Sequence, residues 1–186
     1  MKVVLFRMGV RIGVACLCAM GPATVVGAQT PQAAAPQAPA TPCQTDANRR
    51  RFDFWIGEWN VETRTGQPAG QSSVQSVSAG CALLENWTAR NGSTGKSLNA
   101  YNPELGRWQQ FWAGQFGAVT EYRDSEWHGD TLVYHAATKP PNGKPTLLRL
   151  SFNPLPDGSV RQFGEQSVDD GKTWTVGYEL FYRRKR

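Results

Sequence analysis

Residues 167–183 read SVDDGKTWTVGYELFYR, and the second half of that run alternates. Trp174, Val176, Tyr178, Leu180 and Tyr182 share one parity. Thr173, Thr175, Gly177, Glu179 and Arg183 share the other, and only Phe181 interrupts the polar set. Successive strand side chains point to opposite faces, so a period of two predicts a half-buried antiparallel strand. The stretch before it carries turn chemistry. Asp170-Gly171 predicts a two-residue hairpin turn. Asp169 and the hydroxyls of Ser167 and Thr173 can hydrogen-bond locally around it, with Trp174 as a cover.

The same grammar extends back along the chain. Turn signals GQPAG, NGSTG, NPELG, GAV, HGD, PPNGKP, NPLPDG and DDG separate short runs. Those runs are residues 59–64, 73–78, 82–90, 97–102, 108–113, 119–127, 131–137, 146–152, 160–166 and 173–183. Leu148, Leu150 and Phe152 make a second apolar stripe. About ten short strands with short connections predict an all-β fold, a single antiparallel up-and-down barrel. TDANRRRF is the one helical candidate, a short N-terminal turn capped by Thr45 or Asp46.

SVDDGKTW fits the Asp-box pattern of sialidases, where the box is a hairpin feature away from the catalytic centre. A propeller needs several blades, more than this domain can supply, so the box reads as a turn and no sialidase is inferred. The first strand region, RFDFWIGEWNVE, is similar at Gly57-Glu58-Trp59 to the GxW opening of lipocalins and nitrobindin-like barrels. FDFWIGEW, GCALLENW, GKSLNAYNPELGRWQQFW, DGSV and SVDDGKTW together resemble a family of exported bacterial domains of unknown function with a lipocalin/calycin-like barrel. The resemblance implies a barrel whose Trp59 closes one end of a cavity. It implies no catalytic residue.

Upstream, Lys2, Arg7 and Arg11 precede an apolar run ending in Val26-Gly27-Ala28. That pattern predicts a signal peptide over residues 1–28, cleaved near Ala28, and an exported protein, periplasmic or secreted. The run is too short and wrongly flanked for a permanent membrane span. A lipid anchor at Cys16 is disfavoured by the few apolar residues between it and Arg11. Residues 29–43, rich in Pro, Ala and Gln, lack the apolar surface to fold and read as a linker. The barrel domain is expected over residues 44–186.

The net charge is +5, but Lys2, Arg7 and Arg11 fall in the leader, leaving +2 from there on. Residues 49–51 and the tail 183–186 carry much of that excess and read as solvated charge. Nothing interleaves bases and aromatics as RNA-binding sheets do, so no nucleic-acid partner is expected. Cys43 and Cys81 remain after the leader, and in an oxidising compartment two thiols predict a disulfide.

Three runs repeat a polar–aromatic pair at i, i+2: Glu85 with Trp87, Asn99 with Tyr101, Gln110 with Trp112. Each pair lies on one strand face, and adjacent antiparallel strands set such pairs side by side. These six are the predicted ligand-binding residues, lining a lumen that takes a small apolar or amphipathic molecule. The alternative is that the polar members face solvent or satisfy one another in the core. His128 and His135 are too few to predict a metal site, and no cofactor motif is present. Two other functions stay open. One is a cofactor-free lyase or isomerase with Glu85 as base and Tyr101 and Arg149 as acid and anion clamp. The other is a structural domain with a filled core.

Overall fold

The alternating run at the end of the chain becomes the strand that joins its two halves. In the computed structural model the described residues are 40–139 and 143–186, so the leader and most of the linker lie outside them. The strands are β1 (Gly57–Thr63), β2 (Pro68–Val77), β3 (Ala82–Ala89), β4 (Thr94–Asn102), β5 (Arg107–Gly114), β6 (Val119–Tyr122), β7 (Asp124–His128), β8 (Thr131–Thr138), β9 (Thr146–Pro154), β10 (Val160–Ser167) and β11 (Thr175–Arg184). All neighbours pair antiparallel, in the order β6-β5-β4-β3-β2-β1-β11-β10-β9-β8-β7. The result is a nearly closed barrel of 11 strands.

Closure comes from one strand that serves both sheet edges. The run 119–127 is interrupted at Arg123: its first half pairs with β5 and its second half with β8. The interruption explains why there are 11 strands where the sequence predicts about ten. Gln109 Nε2 donates to the Arg123 carbonyl at 2.9 Å, and Ser125 Oγ to the Trp108 carbonyl at 2.7 Å. Side chains thus hold the join where ladder bonds stop.

The last hairpin departs from the sequence reading in two ways. Its connection spans residues 168–174, between the end of β10 and the start of β11, so it is a longer loop than a two-residue turn. Asp169 organises that loop, accepting from Ser167 Oγ (2.7 Å), Thr173 N (2.9 Å) and Thr173 Oγ1 (2.6 Å). These bonds hold the Asp169 carboxyl down at about 2, the Thr173 hydroxyl contributing most. Asp170 and Gly171 both take positive φ, the conformation for which Asp and Gly are enriched. The second departure is a bulge. Tyr178 pairs with Gly164 but Val176 pairs with Glu165, so Gly177 is the extra residue. An inserted residue reverses the parity beyond it. Tyr178, Leu180 and Tyr182 face the lumen, whereas Val176 and Trp174 turn to the outer face, where Arg149 stacks on Trp174 at 4.2 Å.

One end of the barrel is plugged by the N-terminal segment. Helical turns α1 (Pro42–Thr45) and α2 (Ala47–Arg50) lead into a 3-10 turn over Asp53–Trp55. α1 therefore starts within the last residues of the stretch read as linker. Asp46 caps α2, accepting from Asn48 N at 2.9 Å. Phe52 and Trp55 are fully buried among Trp108, Tyr134, Phe152 and Tyr182, mostly edge-on or tilted. Aromatic packing of that kind adds to the stabilisation from burial alone. Cys43 and Cys81 are bonded, pinning the plug to the β2–β3 connection across 38 residues.

The two basic runs are engaged as well as exposed. Arg51 lies 4.0 Å above the Trp127 ring and donates to the Gly129 carbonyl. Arg184 lies 4.5 Å from the Trp59 ring and donates to the Ile56 carbonyl at 3.2 Å. Trp59 is buried at this end, its indole N–H donating to the Trp55 carbonyl at 2.9 Å. The plug is thus held from both ends of the chain.

Candidate functional site

Above the plug the barrel is not filled. A cavity of about 410 Å³ opens at the far end, walled by Trp87, Trp112, Tyr122, Leu148, Leu150, Tyr178 and Leu180, with Glu85, Gln110, Gln162 and Tyr182 below. Bare backbone beneath three of its aromatics makes room for them. A methyl group added to Gly95 would stand 2.3 Å from the Trp112 ring, and one on Gly164 2.5 Å from the Tyr178 ring. On Gly70 it would stand 2.8 Å from the Trp87 ring. Each ring therefore lies flat along the wall and leaves the centre open.

The cavity floor is a hydrogen-bonded chain centred on Glu85. Its strand neighbours supply hydroxyls: Ser72 Oγ donates to Oε1 at 2.9 Å and Ser97 Oγ to Oε2 at 3.0 Å. Tyr182 Oη lies 3.0 Å from Glu85 Oε1 and 3.2 Å from Gln162 Oε1. Asn99 Nδ2 donates to Ser97 Oγ at 3.0 Å, and Asn99 Oδ1 accepts from Gln110 Nε2 at 2.7 Å and Tyr134 Oη at 3.2 Å. Burial raises the Glu85 carboxyl, and the three hydroxyls only partly offset this. The Tyr182 hydroxyl is raised by burial first and by Glu85 second. A carboxyl so placed favours its neutral form and can itself donate a proton into the chain.

The floor also keeps unused capacity. Among the described residues, Gln110 Oε1 and Gln162 Nε2 have no hydrogen-bond partner, yet neither is a sealed orphan, since both side chains line the cavity. The Tyr122 hydroxyl is likewise unpartnered among the described residues, and burial pushes it up to about 12. Acceptor, donor and hydroxyl thus face an otherwise apolar space.

Of the six predicted residues, Glu85, Trp87, Gln110 and Trp112 line this cavity. Asn99 points inward but is wholly buried one layer down, orienting Gln110. Tyr101 sits at the plugged end, its ring edge-on to Trp108 and 5.4 Å from the Arg49 guanidinium. The trio Glu85, Tyr101 and Arg149 is therefore not assembled around the cavity: Tyr101 lies at the plugged end. Arg149 stands at the rim, donating to Glu165 at 2.9 Å while stacked on Trp174. His128 and His135 both approach Glu126 Oε1, at 3.0 and 3.2 Å, on exposed side chains of β7 and β8.

Residues the sequence reading passed over are Ser72, Ser97, Tyr122 and Gln162. Their signal is parity alone: Ser97 precedes Asn99 by two, and Gln162, Gly164 and Gln166 share one face. Neither the protein-family models nor the curated proteins give a match to this chain.

Proposed function

We propose that this protein is an exported β-barrel, secreted or periplasmic, whose lumen binds a small, uncharged, largely apolar molecule with one hydrogen-bonding end. The observation that carries this reading is the cavity floor: aromatic and aliphatic walls converge on Gln110, Gln162 and Tyr122, each of which keeps one polar atom without a partner among the described residues. Buried sites read a ligand's polar end through such unfilled groups. A neutral end is favoured because among the described residues no cation lines the floor, and the rim cation Arg149 is already paired with Glu165. Export is supported by the leader pattern of residues 1–28 and by the Cys43–Cys81 bridge. The resemblance to exported lipocalin-like domains points the same way.

Native mass spectrometry of protein taken from the cells that make it tests this without guessing the ligand. The expected result is a retained small molecule, released when the chain is unfolded. Protein that is bare in every preparation, and takes up no apolar compound from its own culture extract, contradicts the reading.

A further inference from the structure

The two ends of the barrel differ in charge as well as in openness. Turns at the plugged end, residues 103–106, 129–130 and 155–159, carry Glu104, Asp130 and Asp157 and no cation. Connections around the open mouth carry exposed Arg64, Arg90, Lys139, Lys144 and Lys172. Their acids are Asp169 and Asp170 alone, and Asp169 is held within its own loop. Among the plug and tail cations, Arg49, Arg50, Arg183 and Lys185 pair with Asp46, Asp53, Asp157 and Glu58. Arg51 and Arg184 stack on Trp127 and Trp59, which leaves Arg186 with no such contact among the described residues. Among the described residues, Arg90, Lys139, Lys144 and Lys172 form no ion pair.

Exposed apolar groups lie mostly towards the same end, with Leu105 in the 103–106 turn the exception. Phe116, at the turn between β5 and β6, is 85 % exposed, and Val119 and Val168 are also exposed. On the outer wall Leu98 lies opposite Phe111, and Ala113 opposite Val119, so an apolar stripe climbs β4–β6 to Phe116. Exposed apolar surface rimmed by charge marks an interaction site.

We infer that the open mouth docks on a membrane surface bearing anionic lipids, with Phe116 entering the headgroup layer and the rim cations holding the barrel mouth-down. The charge of the rim selects this partner: cations beside apolar side chains are the combination that anionic bilayers retain. The inference rests on the lumen reading above, since a mouth set against lipid lets an apolar ligand pass between bilayer and barrel without crossing water.

Flotation of the protein with vesicles tests it. Vesicles of phosphatidylcholine with roughly one third phosphatidylglycerol should carry the protein, and pure phosphatidylcholine should not, with added salt releasing it. Phe116→Ser, or Lys144→Glu with Lys172→Glu, should cut partitioning by about tenfold. Arg186→Glu, at the plugged end, should change it little. No flotation, or flotation that survives both mouth variants, overturns the proposal. So does an effect of the mouth variants on self-association alone, read by sedimentation velocity. Uptake of the neutral fluorophore N-phenylnaphthylamine in lipid-free solution, measured on the same proteins, reports the lumen separately. Retained uptake without flotation sinks the docking and spares the lumen; no uptake by the unaltered protein sinks the lumen reading itself.

Discussion

Replacing Cys43 and Cys81 together by serine lowers the unfolding free energy by about 4 kcal/mol, the loop-entropy value for a closure of this length. The bridge spans 38 residues and ties the plug to the β2–β3 connection. Without it, the plug is held by the packing of Phe52 and Trp55 and by Arg184 against Trp59. Early cleavage between residues 40 and 55 by a protease should therefore accompany the loss. Denaturant unfolding of the oxidised, reduced and doubly substituted proteins checks both parts. Equal midpoints for all three would show that the bridge adds nothing to the plug.

Glu85→Ala is the second large effect, a loss of about 2–4 kcal/mol, because it opens a cavity and strands the hydroxyls of Ser72, Ser97 and Tyr182. Glu85→Gln keeps the shape and most acceptors, and should cost about 1 kcal/mol or less at acid pH. The pH dependence separates packing from protonation. Burial raises the folded carboxyl above its ordinary 4.5, so the folded state holds this proton more tightly than the unfolded chain. Its contribution is then complete below 4.5 and declines as pH rises from there to the raised folded value. Unfolding midpoints measured across that window should fall with pH in the native protein. The part of the slope due to Glu85 should vanish in Glu85→Gln. An identical slope in the two proteins would place the titration elsewhere.

The fold was legible because strand periodicity and turn residues agree along the chain. The alternation from Tyr178 to Tyr182 and the stripe Leu148, Leu150, Phe152 face inward as their parity predicts. Parity fails at Val176 and Trp174, since a bulge at Gly177 leaves no mark in a hydrophobic pattern. The interruption at Arg123 was equally invisible. An uninterrupted polar–apolar run looks the same whether one neighbour or two pair with it. For the site, the i, i+2 pairs placed Glu85, Trp87, Gln110 and Trp112 on one cavity. Tyr101 has the right face and the wrong height, because spacing within a strand says nothing about where a plug ends. Gln162 and Tyr122 reach the floor from strands far along the chain, so only the closed sheet brings them there.

The most direct test of an open, ligand-accepting lumen is fluorescence titration with N-phenylnaphthylamine of the native protein beside Gly95→Ala. A methyl group on Gly95 cannot coexist with the Trp112 ring as placed, 2.3 Å away, so the ring must swing into the cavity. The expected result is one saturable site in the native protein and at least about tenfold weaker binding in Gly95→Ala, since even a few lost apolar contacts cost that much. Circular dichroism should show the fold unchanged. Absence of saturable binding, or equal affinity in two equally folded proteins, would contradict a ligand site in the lumen.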